Sequence, residues 1–377
     1  MQSVDLDSEM LHSLKNRFPK KTYYLGQVFR NTTNSYKILW FLAILSILKR
    51  TDQIVIKLED IFIEMLSLAW HPVCFYRLSL GKQDKLQDAV LAIQSQSNLP
   101  LDASPTTIRK TIGLDYKIYN FLNFLDQYVP MRFLSPWFSK QLKGKKDHEK
   151  NSLIKILARQ SQESAMPTPY YIDDSSAVIR LNQSWKIFLL ENLGIIQAFV
   201  DFHFARYLQI RNPNVPGIIC KLRAPTKRQL SVARRFWIFV RNEFYKRGWK
   251  NAFIDIYSLS PLYDDFSIDH FLPWSFVVHD SLWNLTPVEK STNSMKSDKL
   301  PNLKIYLPRL AELHYKSIEV SLNHPKLLED YVICFKVKPK RLLSLGEKGL
   351  IKKYYQVIEP QTQIAINQGF QANWVYA

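Results

Sequence analysis

The chain has 377 residues, 46% of them hydrophobic, enough for a sizeable core and too many for a disordered chain. Fifty-one Lys and Arg residues outnumber 33 Asp and Glu, giving a formal net charge of +18 and a pI near 9.6, the balance expected of a protein that meets a polyanion. Cys74, Cys220 and Cys334 are too scattered for a disulfide framework, and the 10 glycines include no GxxxxGK[ST] run, which argues against an ATP-driven motor and a dinucleotide-binding fold.

The first residues, MQSVDLDSEMLHSLKNRF, are polar and lack the apolar centre of a signal peptide. The longest apolar run, Ile38 to Leu48, is 11 residues, too short to span a bilayer, and it reads as a buried helix. We therefore expect a cytoplasmic chain without membrane insertion. Apolar residues recur at three- and four-residue intervals over 35–50, 57–76 and 82–97, predicting three helices. Ser104-Pro105 reads as an N-cap followed by a first-turn proline, and a further helix is expected over 116–128. The basic segment KQLKGKKDHEKNS closes a helical domain at 1–150.

A second helical domain is placed at 151–250. PTPYYIDDSSAVIRLN reads as a hairpin or extended arm, and one long helix follows, from Ser184 to the Asn212-Pro213 stop. TKRQLSVARRFWIFVRNEFYKRG predicts an amphipathic helix. Its polar face carries Lys227, Arg228, Arg234, Arg235, Arg241, Lys246 and Arg247, with Phe236, Trp237, Phe239 and Phe244 turned inward. We take Arg234, Arg235, Arg241 and Lys246, with Lys299 further on, as the nucleic-acid contacts; an ordinary solvated basic face is the alternative. A C-terminal helical region, 304–377, ends in a helix pair interrupted at Pro360.

Between them, at 251–303, lies the chemistry. The segment IDHFLPWSFVVHDSLWNLTPVEKSTNSMKSDKLP places Asp269-His270 on a short β-like run ending at Pro273. A loop from Trp274 to Trp283 leads to Asn284 at the head of a second apolar run. A polar helix from about Glu289 then carries Asn293 and Lys296. Asp269 and Asn293 offer the two hard oxygens that suffice for a magnesium ion retaining several waters. His270 follows Asp269 directly, so on a strand it faces the other way, and a neutral imidazole there can take a proton from water. Lys296, three residues past Asn293, can reach a phosphate oxygen. His279 reads as a surface or substrate-contacting residue. An Asp-His pair alone is an ordinary turn feature; the joint spacing is not.

The D-H-x-x-P-x-S-F opening, the central Asn284 and the N-x-x-K-S-D ending before Pro301 resemble the HNH, or ββα-metal (His-Me), endonuclease finger. The likeness covers about 50 residues and is greatest to the HNH domain of RNA-guided CRISPR effector nucleases. It implies a mainly α chain with an embedded ββα-metal finger. It also implies hydrolysis to 5′-phosphate and 3′-hydroxyl ends, and an Asn284 that braces the loop behind the general base. Two departures matter: no CxxC pair flanks the finger, so no structural zinc is expected, and Asn293 stands where many fingers have His, favouring Mg2+ or Mn2+. Ser291 occupies a position that is acidic in the RNA-guided effectors. We expect a metal-dependent endonuclease nicking or cutting DNA, with RNA also possible as substrate, in bacterial defence with partner proteins. A catalytically inactive nucleic-acid-binding or scaffold subunit, or an RNA-cleaving toxin, is the alternative.

Overall fold

The computed structural model describes residues 19–30, 32–113, 128–226 and 228–377. Nearly all of the helix expected over 116–128, and Lys227 of the basic face, lie outside the described residues. The chain is mainly helical and divides into two compact units, Met1–Pro213 with Ile218–Pro225, and Asn214–Gly217 with Thr226–Ala377. The division falls inside the segment expected as a second domain.

The first unit contains α1 (Pro19–Val28), α2 (Tyr36–Arg50), β1 (Val55–Lys57), α3 (Leu58–Trp70), α4 (Lys85–Gln96), α5 (Pro105–Ile112), α6 (Asp147–Gln160), β2 (Tyr170–Asp173), β3 (Val178–Leu181), α7 (Gln183–Glu191) and α8 (Leu193–Arg211). The run from Ile38 to Leu45 in α2 is wholly buried. Ser104 caps α5 as its sequence predicts, accepting the Thr107 N–H at 3.1 Å. The expected hairpin is β2–β3, and β1 adds to it antiparallel in the order β1-β3-β2. The single helix expected from Ser184 onward is two, α7 and α8, meeting at 84°. Asn192 causes the break: it leaves helical dihedrals, and its side-chain amide takes the Phe188 carbonyl at 2.8 Å.

The second unit contains α9 (Ser231–Lys246), β4 (Ser267–His270), the one-turn α10 (Trp274–Val277), β5 (Leu285–Val288), α11 (Lys290–Lys296), α12 (Leu303–Val320), α13 (Glu329–Phe335), α14 (Pro339–Ser344) and α15 (Gly346–Asn367). Ala233, Phe236, Trp237, Val240 and Phe244 recur on one stripe of α9 and are buried, whereas Phe239 is only partly so. They share one apolar core with Ile268, Leu285, Leu310 and Tyr354, so α9, the two strands and the C-terminal helices fold together. The segment after Pro273, expected as loop throughout, begins with α10 and closes in a 3-10 turn, Leu282–Asn284. The C-terminal helix pair is a correction: α15 runs unbroken through Pro360, and α12 likewise contains Pro308. A proline inside a helix costs about 3 kcal/mol. Leu350, Tyr354 and Ile358 before it and Thr362 and Ala365 after it all bury on one face, and that packing outweighs the lost hydrogen bond. No single helix among the described residues is long and apolar enough to cross a membrane.

Candidate active site

β4 and β5 pair antiparallel, with Asp269 opposite Thr286 and His270 opposite Leu285. Successive strand residues project to opposite faces, and the two side chains meet different partners accordingly. Asp269 receives the Tyr257 hydroxyl at 2.8 Å on Oδ2, and Lys296 Nζ at 3.1 Å on Oδ1 and 3.0 Å on Oδ2. Lys296 Nζ also donates to the His270 carbonyl at 2.7 Å. The lysine is 0% exposed and the aspartate 3%, so this is a fully desolvated ion pair. Burial draws the Lys296 ammonium below its usual range, with Asp269 opposing that shift. Burial, and then the Asp269 charge, push the Tyr257 phenol well up, so it stays a donor.

His270 meets a different carboxylate. Its Nε2 lies 2.9 Å from Asp280 Oδ1, and Asp280 Oδ2 accepts the backbone N–H of Gln229 at 3.1 Å. The bond from His270 holds the Asp280 carboxyl below its ordinary range. An ionised carboxylate only accepts, so the shared hydrogen sits on Nε2 and Nδ1 presents a lone pair. Nδ1 is buried without a hydrogen-bond partner among the described residues. Burial lowers the imidazole pKa, against the pull of Asp280, which favours the neutral ring.

Two further side chains hold this geometry. Asn284 clasps the backbone of Leu272, accepting its N–H at 2.8 Å and donating to its carbonyl at 2.9 Å, while the Phe271 N–H bonds the Asn284 carbonyl at 2.8 Å. The chain just past the imidazole is thereby pinned. Asp255, fully buried, accepts the N–H groups of Tyr257 at 2.8 Å and Glu289 at 2.9 Å. It ties the turn bearing Tyr257 to the N-cap of α11, the helix that carries Asn293 and Lys296.

A model of the HNH endonuclease family matches residues 251–302, the span that contains β4, β5 and α11. These residues are an HNH endonuclease domain. No curated protein and no solved structure matches the chain.

Within the HNH domain, Asp269, the His270 backbone and Lys296 come into direct contact, and Asn284 braces the chain behind the histidine. Lys296, expected at a phosphate oxygen, is instead buried under Asp269, because an ammonium away from water needs a charge partner. Asn293 sits half-buried on α11, its side chain in no hydrogen bond among the described residues. Asp269 accepts two hydrogen bonds, one on each oxygen, so about two of its four lone-pair positions are left for a cation. These hard oxygen donors fit magnesium or manganese. No cluster of three or more His, Cys, Asp or Glu able to hold a metal occurs among the described residues.

The cations expected to meet nucleic acid divide. Arg241 is ion-paired with Asp264, Lys246 bonds Glu243 at 2.6 Å, Arg234 donates to the Phe266 carbonyl at 2.9 Å, and Lys299 donates to the Met295 carbonyl at 2.8 Å. Arg235 is exposed on α9. His279 packs its ring 5.4 Å from that of Trp283. Asp280, Tyr257 and Asp255 were not foreseen. Asp280 follows His279 directly and reads as that residue's neighbour, although its partner lies ten positions back; the partial signal was its place in the HDS triplet at the loop's end.

Proposed function

We propose that the chain is a metal-dependent endonuclease that hydrolyses phosphodiesters of DNA, with His270 as general base. The observation that carries this reading is the imidazole itself. Asp280 holds Nε2, so the basic lone pair on Nδ1 is buried and uncommitted within a domain of a nuclease family. A water at Nδ1 loses its proton to that nitrogen as its oxygen attacks phosphorus. The bond from phosphorus to the 3′-oxygen then breaks, its electron pair leaves on that oxygen, and a solvent proton completes the 3′-hydroxyl. Asn284 keeps the base from swinging away, and Lys296 with Tyr257 fixes the Asp269 carboxylate. Asp269 and Asn293 would hold the Mg2+ or Mn2+ ion, which supplies a positive charge against the phosphate and the leaving oxygen. One finger cuts one strand, so a single encounter leaves a nick. By analogy with free-standing HNH proteins, the role is bacterial defence against phage or other foreign DNA, together with partner proteins.

The test is incubation of the purified chain with supercoiled plasmid and magnesium, beside His270→Ala and a no-metal control. We expect nicked circles with 5′-phosphate ends from the wild type only, and a loss of about 10²–10⁴-fold in the variant. Failure of the wild type to nick with any divalent ion would favour the scaffold alternative. Cleavage of RNA but not DNA would favour the toxin alternative.

A further inference from the structure

The HNH match begins at residue 251, yet one cation from well before it stands at the catalytic cluster. Arg228, in the extended segment ahead of α9, is exposed, and its guanidinium carbon lies 5.6 Å from the centre of the Trp274 ring. Trp274 opens the turn directly after Pro273 and is itself buried, so the ring forms a fixed shelf beside the loop that follows His270. The neighbouring residue anchors the segment: the Gln229 N–H is held by Asp280 Oδ2 at 3.1 Å, while Oδ1 of the same carboxylate holds His270 Nε2 at 2.9 Å. One side chain therefore sets both the base and the strap that carries the arginine. The Arg228 charge is felt at His270, Asp280 and Lys296, favouring the uncharged imidazole and amine and the charged carboxylate. Unlike Arg241 and Lys246, Arg228 forms no ion pair with a carboxylate among the described residues.

We propose that Arg228 is a catalytic residue whose guanidinium grips the non-bridging oxygens of the scissile phosphate, reaching the HNH centre from outside the HNH domain on a strap fixed by Asp280. The assignment rests on the nuclease reading. A guanidinium presents parallel N–H donors that match two phosphate oxygens, and those oxygens gain charge as the water attacks. The cation–π contact with Trp274 holds the guanidinium beside this loop without consuming its donors. Asp280 acts on the phosphate only through its neighbours and is a positioning residue.

Two measurements on the full chain decide the matter: the salt dependence of binding to a short labelled duplex in EDTA, and the single-turnover nicking rate at saturating duplex with magnesium. For Arg228→Ala the slope of log affinity against log salt should flatten by about one phosphate contact. The saturated rate should fall about 10²-fold, the cost of removing one transition-state donor. Arg228→Lys should restore the slope but little of the rate, because a point charge lacks the fork. Asp280→Asn should lower the rate and shift its pH profile, with the duplex still bound. An unchanged slope and rate in Arg228→Ala overturns the assignment, as does a flattened slope with an unchanged saturated rate, which moves the contact to a flanking phosphate. If the wild type binds but never nicks, the nuclease reading falls, and the slope alone still decides whether Arg228 meets backbone phosphate.

Discussion

Asp269 and Lys296 show how a single buried pair links stability to chemistry. Neither side chain has appreciable access to water, so each charge survives only through the other, through the Tyr257 hydroxyl and through the His270 carbonyl. Such a pair adds little net stability over well-packed apolar residues, but halving it is costly. Lys296→Met should destabilise the second unit by about 3–5 kcal/mol, because Asp269 is left buried without its charge partner and with one hydroxyl donor. The double variant Asp269→Leu with Lys296→Met should recover most of that loss while remaining inactive. Denaturant midpoints at constant m-value check both; a Lys296→Met midpoint within about 1 kcal/mol of wild type would sink the argument. The same pair marks the limit of reading side chains from spacing. Asn293 and Lys296 share a helical face in the sequence pattern, yet where that face turns depends on Tyr257 and Asp255, which come from a turn about 35 residues earlier.

Elements were legible where their signals are local. The amphipathic stripe of α9, the Ser104 cap and the strand–strand–helix order around Asp269 and Asn293 follow from residue spacing, and the structure has them. Elements made by distant partners were not. β1 is a three-residue strand whose pairing with β3 spans more than 120 positions, so its own residues carry no pattern. Pro360 reads as a break because the proline rule is local, whereas the packing that overrides it comes from the rest of the core. α12 hides a similar case in His314, which the sequence places in polar surroundings. It is fully buried, its Nδ1 lies 2.6 Å from the Tyr331 hydroxyl, and its ring packs edge-on against Trp237. Burial lowers its pKa to about 3. The unfolded chain, with an ordinary imidazole, binds a proton that the folded one refuses, so stability falls as pH drops from about 6.5 towards about 3. Wild-type melting temperature should therefore decline through that window. His314→Gln, less stable at pH 7, should decline less, narrowing the gap between them in acid; parallel curves would show that His314 does not govern the transition.

At the scale of the whole chain, a net charge of +18 is spread over two units, while the HNH match lies within one. Among the described residues, the second unit builds an apolar core from its own side chains. The apolar cluster running from Ala233 to Phe370 includes α9, β4, β5 and α12 to α15, and among the described residues the bonds that set Asp269, His270 and Lys296 arise within residues 226–377. Its last residues are tied in as well: the Leu300 N–H bonds the Gln371 carbonyl and the Trp374 N–H the Leu300 carbonyl, so the C-terminal tail is fastened to the segment just past α11. A fragment spanning 214–377 should accordingly unfold in one cooperative transition and keep His270-dependent nicking, because every group assigned to the reaction is retained. Its affinity for duplex should fall, and the salt dependence of binding should flatten, by as many phosphate contacts as the first unit's lysines and arginines supply. Circular dichroism melting and plasmid nicking of the fragment check the first claim, and a salt series with both proteins checks the second. A fragment that melts without cooperativity would show that residues 1–213 complete the nuclease core; one that binds with the full chain's salt slope would confine the nucleic-acid surface to the nuclease unit.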